Sequence, residues 1–166
     1  MGRSTRQERT AELISELRAY QRAQDVFDQA AVDYLGINRT DGRCLDILDQ
    51  HGSMTAGRLA REARLTSGAV TTVLDRLEQA GYVRRKRDTV DRRRVLVEVT
   101  PLMWERAGVI WGPIAEADSL ARFDDDQLEF LLDFVRRSKR FLEEHVDRIE
   151  ALPEPPWRQP KRGAVG

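Results

Sequence analysis

The stretch LTSGAVTTVLDRLEQAGYVRRKRDTVDRRRVLVEVT, Leu65 to Thr100, carries two periodicities in succession. Val70, Val73, Leu74 and Leu77 recur at the i, i+3, i+4, i+7 spacing, so they share one face of a helix running from about Ser67 to Ala80. Thr66 is a natural N-cap for it, and Gly81 supplies a left-handed residue at its end. From Tyr82 the period drops to two. Tyr82 to Arg87 and Val95 to Val99 read as paired strands, the second alternating through Val95, Val97 and Val99, with a tip at Asp88 to Arg92. A helix followed directly by a hairpin is the expected organisation.

The two faces of that helix differ in kind. Opposite the apolar face lie Gly68, Thr72, Asp75 and Gln79, flanked by Thr71 and Arg76. A helix that inserts its N-terminal end into a major groove about 12 Å wide needs small, polar side chains there, as Ser67, Gly68, Thr71 and Thr72 are. Gly68 allows the backbone to come close to a phosphate at the helix N-terminus. A preceding helix, Thr55 to Arg64, directs Arg58 and Arg61 towards phosphates. The hairpin adds seven basic side chains in eleven residues, Arg84 to Arg94. From such a wing an arginine can enter a narrow minor groove, whose potential attracts guanidinium. Arg76, Arg92 and Arg93 complete the set of residues expected at double-stranded DNA.

The charge distribution agrees with this reading. The chain of 166 residues is neutral overall, with 28 basic and 28 acidic side chains. Residues 55–100 nevertheless hold 11 Lys/Arg against 6 Asp/Glu, and residues 101–152 hold 7 against 12. A local basic field of this kind finds a polyanion that the neutral average conceals. No apolar run approaches the roughly 18 residues that span a bilayer, so no membrane partner is expected. The N-terminal MGRSTRQERT has no apolar stretch behind its basic residues, and the single cysteine excludes an internal disulfide. A cytoplasmic protein is expected.

Long helices flank the middle. From about Gln7 to Leu35, Leu13, Leu17, Tyr20, Gln24, Phe27, Ala31 and Tyr34 take alternating steps of four and three, a heptad seam. Gly36 ends that helix, and Asn38 or Thr40 caps the next, Asp41 to Gln50. Leu128, Leu132, Val135, Lys139, Leu142, Val146 and Ile149 repeat the seam near the other end. Thr100-Pro101 reads as cap and first turn of a helix through Met103, Trp104 and Ala107, which Gly112-Pro113 is expected to kink or break near Trp111. Two seams in a short chain can pack on each other within one chain, but with a separate middle they are expected to interleave with a second copy as a homodimer. The fold class is therefore mainly α with a small β-wing. Residues 7–36 and 101–150 form a helical dimerisation region and residues 37–100 the winged lobe. The proline-rich 151–166 is expected to be a disordered tail, with Trp157 as its one large anchor.

Together, LTSGAVTTVLDRLEQAGYVRR and DTVDRRRVLVEVT resemble the MarR family of dimeric winged helix-turn-helix repressors, over about Ala19 to Ile149. The most specific element is the Asp-x-Arg of the wing, Asp91 and Arg93. The resemblance implies a homodimer built from the terminal helices and a transcriptional regulator acting on pseudo-palindromic operators. It also implies Arg93 as the minor-groove residue, with Ser67, Gly68, Thr71 and Thr72 towards the major groove. One departure stands out: the family usually places a glycine two or three residues after the strand-ending Thr, where this chain has Pro101-Leu102-Met103-Trp104.

The remaining reactive residues read as structural. Cys44, beside Leu45 and Leu48, is a small buried hydrophobe, whereas a peroxide-sensing branch of the family carries its cysteine near the start of the first helix. His51 and His145 lie far apart, so no metal set emerges, and no cofactor or catalytic constellation is expected. Asp91 is expected to orient one wing arginine through a charge-assisted hydrogen bond. Phe27, Tyr34, Trp104 and Trp111 can wall a crevice, which the family resemblance implies would take a small aromatic or lipophilic effector, or they simply pack. The alternatives to a ligand-relieved repressor are a winged-helix protein-interaction module without DNA and a thiol-sensing member of the same family.

Overall fold

The computed structural model describes residues 5–117 and 120–153. The elements are α1 (Arg6–Leu35), α2 (Arg39–His51), β1 (Met54–Thr55), α3 (Ala56–Glu62), α4 (Ser67–Gln79), β2 (Val83–Arg87), β3 (Val95–Val99), α5 (Pro101–Glu116) and α6 (Asp125–Glu150). Most of the proline-rich tail, including Trp157, lies outside the described residues. The chain divides into two compact units, residues 1–116 and 117–166.

In the first unit the helices start where their caps dictate. Thr5 and Glu8 form a capping box on α1, and Asn38 and Asp41 form another on α2. Asn38, not Thr40, is therefore the cap, and α2 starts two residues earlier than Asp41. Thr55 caps α3 and Thr66 caps α4, each hydroxyl accepting the N–H three residues on. α2, α3 and α4 bury one face each, and Leu45, Leu48, Leu59, Val70, Leu74 and Leu77 form the centre of a single core. Burial of such side chains is the main favourable term, about 1.5–3 kcal/mol apiece.

The sheet has three strands in the order β1-β3-β2, all antiparallel. Two residues of β1 pair Met54 with Val97 and Thr55 with Leu96, an edge strand too short to show any period in the sequence. β2 and β3 run in register from Val83↔Val99 to Arg87↔Val95. Of the alternating valines only Val97 is fully buried; Val95 is exposed, because the hairpin has by then extended past the core.

Close approaches tie the parts of this unit together. A Cβ on Gly42 would stand 2.8 Å from Val32 Cγ1, so only glycine lets α2 pack this near α1. Gly81 has φ of 77°, and the turn it makes is closed by Thr100 Oγ1 donating to its carbonyl at 2.6 Å. Tyr82 Oη donates to the Leu35 carbonyl at 2.9 Å, fixing the base of the wing to the end of α1. α5 begins as expected, with the Met103 N–H donating to Thr100, and Met103 enters the core. Of the kink or break expected at Gly112-Pro113, the break does not occur: α5 continues to Glu116 with Pro113 inside it. Pro113 falls in the last turn and denies a partner only to the Val109 carbonyl, on a residue open to solvent.

The second unit is dominated by α6, capped by a box of Asp124 and Gln127. It is strongly amphipathic, yet none of its residues is buried within the protomer. Leu132, Val135, Leu142 and Ile149 of its seam are all exposed, as are Leu13, Leu17 and Tyr20 of the seam on α1.

Candidate nucleic-acid interface

The exposed side of α4 is what a groove-reading helix requires. Ser67, Gly68, Thr71 and Thr72 are exposed, and nothing lies within 4 Å of the place a Cβ on Gly68 would occupy. Thr71 Oγ1 donates to the Ser67 carbonyl at 2.9 Å and Thr72 Oγ1 to the Gly68 carbonyl at 3.2 Å. Arg58 and Arg61 of α3 are exposed too, Arg58 with a long 3.7 Å contact to Glu62 along its own helix.

The seven basic residues of the wing fall into two groups. Arg84 and Lys86 both bind Glu98 across the strand pair, Arg84 at 2.6 Å. Arg85 reaches back to α4, meeting Asp75 at 2.7 Å and also Glu78, while its N–H donates to Glu78 at 3.2 Å. Three cations therefore face three carboxylates, and the cluster is neutral. Its electrostatics follow: the bond to Asp75 raises the pKa of Arg85, and the Lys86 ammonium lowers that of Glu98. Arg87, Arg92, Arg93 and Arg94 remain at the tip, exposed and without a carboxylate partner among the described residues.

The tip is shaped by Asp88 and Asp91. Asp88 Oδ1 accepts the Val90 N–H at 2.9 Å, and the Asp88 N–H donates to the Arg94 carbonyl at 3.0 Å, closing the loop. Asp91 does not grip a guanidinium as the sequence led us to expect. Its Oδ1 accepts the backbone N–H of Arg93 at 3.1 Å, and its carbonyl accepts that of Arg94 at 2.9 Å. A short carboxylate reaches its own backbone two residues on more readily than a long, mobile arginine. Asp91 thus orients the main chain and leaves Arg93 free.

Arg76 differs from the other arginines assigned to DNA. Its Nε donates to Asp41 Oδ2 at 3.1 Å and its Nη2 to Asp41 Oδ1 at 2.5 Å, a bidentate pair onto a carboxylate that is 1 % exposed. No local pattern announces it, because Asp41 serves the capping box of α2 and lies 35 residues away. Arg87 and Arg94 belong to the same basic run as Arg92 and Arg93, and only the pairing of their neighbours sets them apart.

Between α1, α2 and α5 a crevice of about 740 Å³ opens, with Trp104 and Trp111 on one wall and Val32, Leu35 and Leu45 behind. Phe27 supports it from outside, its ring meeting Trp111 edge-on at 6.1 Å. Tyr34, 57 % exposed, does not line it. Cys44 is fully buried, and burial raises its thiol pKa.

A helix-turn-helix with a small, polar, open second helix, followed by a two-stranded wing with free arginines at its tip, defines a winged helix-turn-helix protein of the DNA-binding kind. Comparison with known proteins names the family. Residues 37–95 match the MarR family model. The uncharacterised HTH-type transcriptional regulator YcgE of Bacillus subtilis is 36% identical over 127 residues, 75% of this chain and 82% of that protein. The organic hydroperoxide resistance transcriptional regulator of the same organism is 33% identical over 104 residues, 61% of this chain and 71% of that one. The crystal structure of MarR superposes with a TM-score of 0.51 at 26% identity, covering 81% of this chain and 97% of that one. The chain belongs to the MarR family of transcriptional regulators.

Proposed function

We propose that this regulator is a cytoplasmic homodimer that represses transcription from pseudo-palindromic operators, has no catalytic activity, and is released from DNA by a small aromatic or lipophilic ligand. The observation that carries the DNA reading is the tip of the wing. Four arginines stand there free while their three basic neighbours are neutralised in the strands. Charge left uncompensated on an exposed hairpin beside an open helix N-terminus suits a polyanion with two grooves. Ser67, Gly68, Thr71 and Thr72 would face the major groove, Arg58 and Arg61 the phosphates, and Arg92 and Arg93 the minor groove.

The exposed seams of α1 and α6 support the dimer, since so many leucines and valines left in water call for a partner. The crevice walled by Trp104 and Trp111 supports the effector. A ligand relieves repression only if it binds the DNA-free arrangement more tightly than the DNA-bound one. The name of the hydroperoxide-resistance relative brings a thiol-sensing reading into view. The sealed, proton-retaining thiol of Cys44 speaks against it, because the thiolate is the reactive form.

Selection from a random duplex pool tests the proposal directly. The expected product is a two-fold symmetric site with half-sites about one helical turn apart. Failure to retain any DNA at low salt would leave only the protein-interaction module.

A further inference from the structure

We infer that the crevice between α1, α2 and α5 takes an aromatic or lipophilic cation, an amine protonated at neutral pH, with Asp28 as its counter-ion. The inference rests on the effector reading of that crevice and adds the charge of the ligand.

Two chemistries meet in the lining. Trp104 and Trp111 line the crevice while remaining 52 % and 40 % exposed, so both indoles are open to an incoming molecule. Of the aromatic rings, tryptophan offers a cation the best face. α1 contributes Gln24, Asp28, Ala31, Val32 and Leu35, which recur at helical spacing along one stripe. Ala31, Val32 and Leu35 are buried, and Asp28 is the one charged residue of the stripe. It is half-buried, with no hydrogen bond or ion pair to any of the described residues.

The other charges do not cancel it. Arg39 also lines the crevice, but its guanidinium pairs with Asp25 at 2.9 Å. Arg43 is exposed and shares the α2 wall with two carboxylates, Asp46 and Asp49. Four carboxylates, Asp25 included, therefore stand against two guanidinium groups. An anionic ligand that filled the crevice would strip water from Asp28 and add repulsion. A neutral alcohol would return one weaker hydrogen bond, whereas an ammonium returns a bond in which both partners are charged. A volume of about 740 Å³ accommodates a bicyclic aromatic amine.

Three probes with one ring system and different charge test this by calorimetry on the full chain: naphthylethylamine, naphthylethanol and naphthylacetate. The amine should bind about tenfold more tightly than the alcohol, between the worth of an exposed ion pair and that of a desolvated one. The carboxylate should bind most weakly. Asp28→Asn should bring the amine to the level of the alcohol and leave the alcohol unchanged, and Asp28→Glu should keep the wild-type order. Alcohol or carboxylate binding as tightly as the amine would overturn the inference and leave the crevice as an effector site. So would an amine preference that survives Asp28→Asn. If none of the three binds at millimolar concentration, the effector reading fails together with it. Amine binding that does not release a selected operator would keep the cation site and refute only its part in regulation.

Discussion

Replacing one free arginine and one neutralised arginine of the same hairpin should have different consequences, and salt is the reagent that separates them. A cation that meets a phosphate releases a condensed counterion, lowering the slope of log K against log salt by about 0.9. Arg93 has no carboxylate partner among the described residues, and a guanidinium in a minor groove lies between two phosphate strands and displaces counterions as a phosphate contact does, so Arg93→Ala in both protomers of the proposed dimer removes two such charges. The slope should flatten by about 1.8 units, which between roughly 50 and 200 mM salt amounts to about a 12-fold smaller loss of affinity. Arg84 lies on the same hairpin but shares Glu98 with Lys86. Arg84→Ala should therefore alter the slope by well under half as much. Fluorescence anisotropy of a labelled operator, titrated at four or five salt concentrations, measures both variants. Equal slopes for the two would show that the ion pairs of the strands do not survive on DNA, and the division of the wing into structural and binding arginines would fall.

Three further outcomes follow from the geometry. Leu132 and Leu142 are 51 % and 55 % exposed in the protomer, so Leu132→Asp with Leu142→Asp should abolish the dimer in sedimentation and operator binding with it. Tyr82→Phe removes the bond to the Leu35 carbonyl and should cost about 0.5–1.5 kcal/mol in denaturant unfolding. Cys44 should resist alkylation in the native protein at pH 8. Because burial raises its pKa from the ordinary 9.0, the folded state holds the proton more tightly. Its contribution is thus complete below pH 9 and lost as pH rises further, so wild type should lose more stability than Cys44→Ala in that range.

The features legible in the sequence were those with a local period or a local cap. α4 was recognisable from four apolar positions between Thr66 and Gly81, and the strands of the wing from a change of period at Tyr82. Nothing local distinguishes Met54–Thr55, a strand only because Val97 and Leu96 pass beside it. Gly112-Pro113 is the opposite case: the local pattern allows a break there, yet α5 runs on for its last turn to Glu116. At the interface, composition identified the basic run but not its division. Whether an arginine of the wing is free depends on Glu98, Asp75 and Glu78, and these meet it only once strand register and helix packing are set. Asp41 and Arg76 are the extreme case, two residues with respectable local readings whose true partner is each other.

Arg85 leaves the wing and closes on two carboxylates of α4, Asp75 and Glu78. The hairpin is thereby pinned to α4, so the distance between the two elements we propose for the minor and the major groove is set inside a single protomer. Compliance must then lie elsewhere. In the proposed homodimer, an operator whose half-sites are a base pair too close or too far would have to be met by movement between the two protomers. The wing cannot stretch to make up the difference, and the protein should punish altered spacing more harshly than altered flanks.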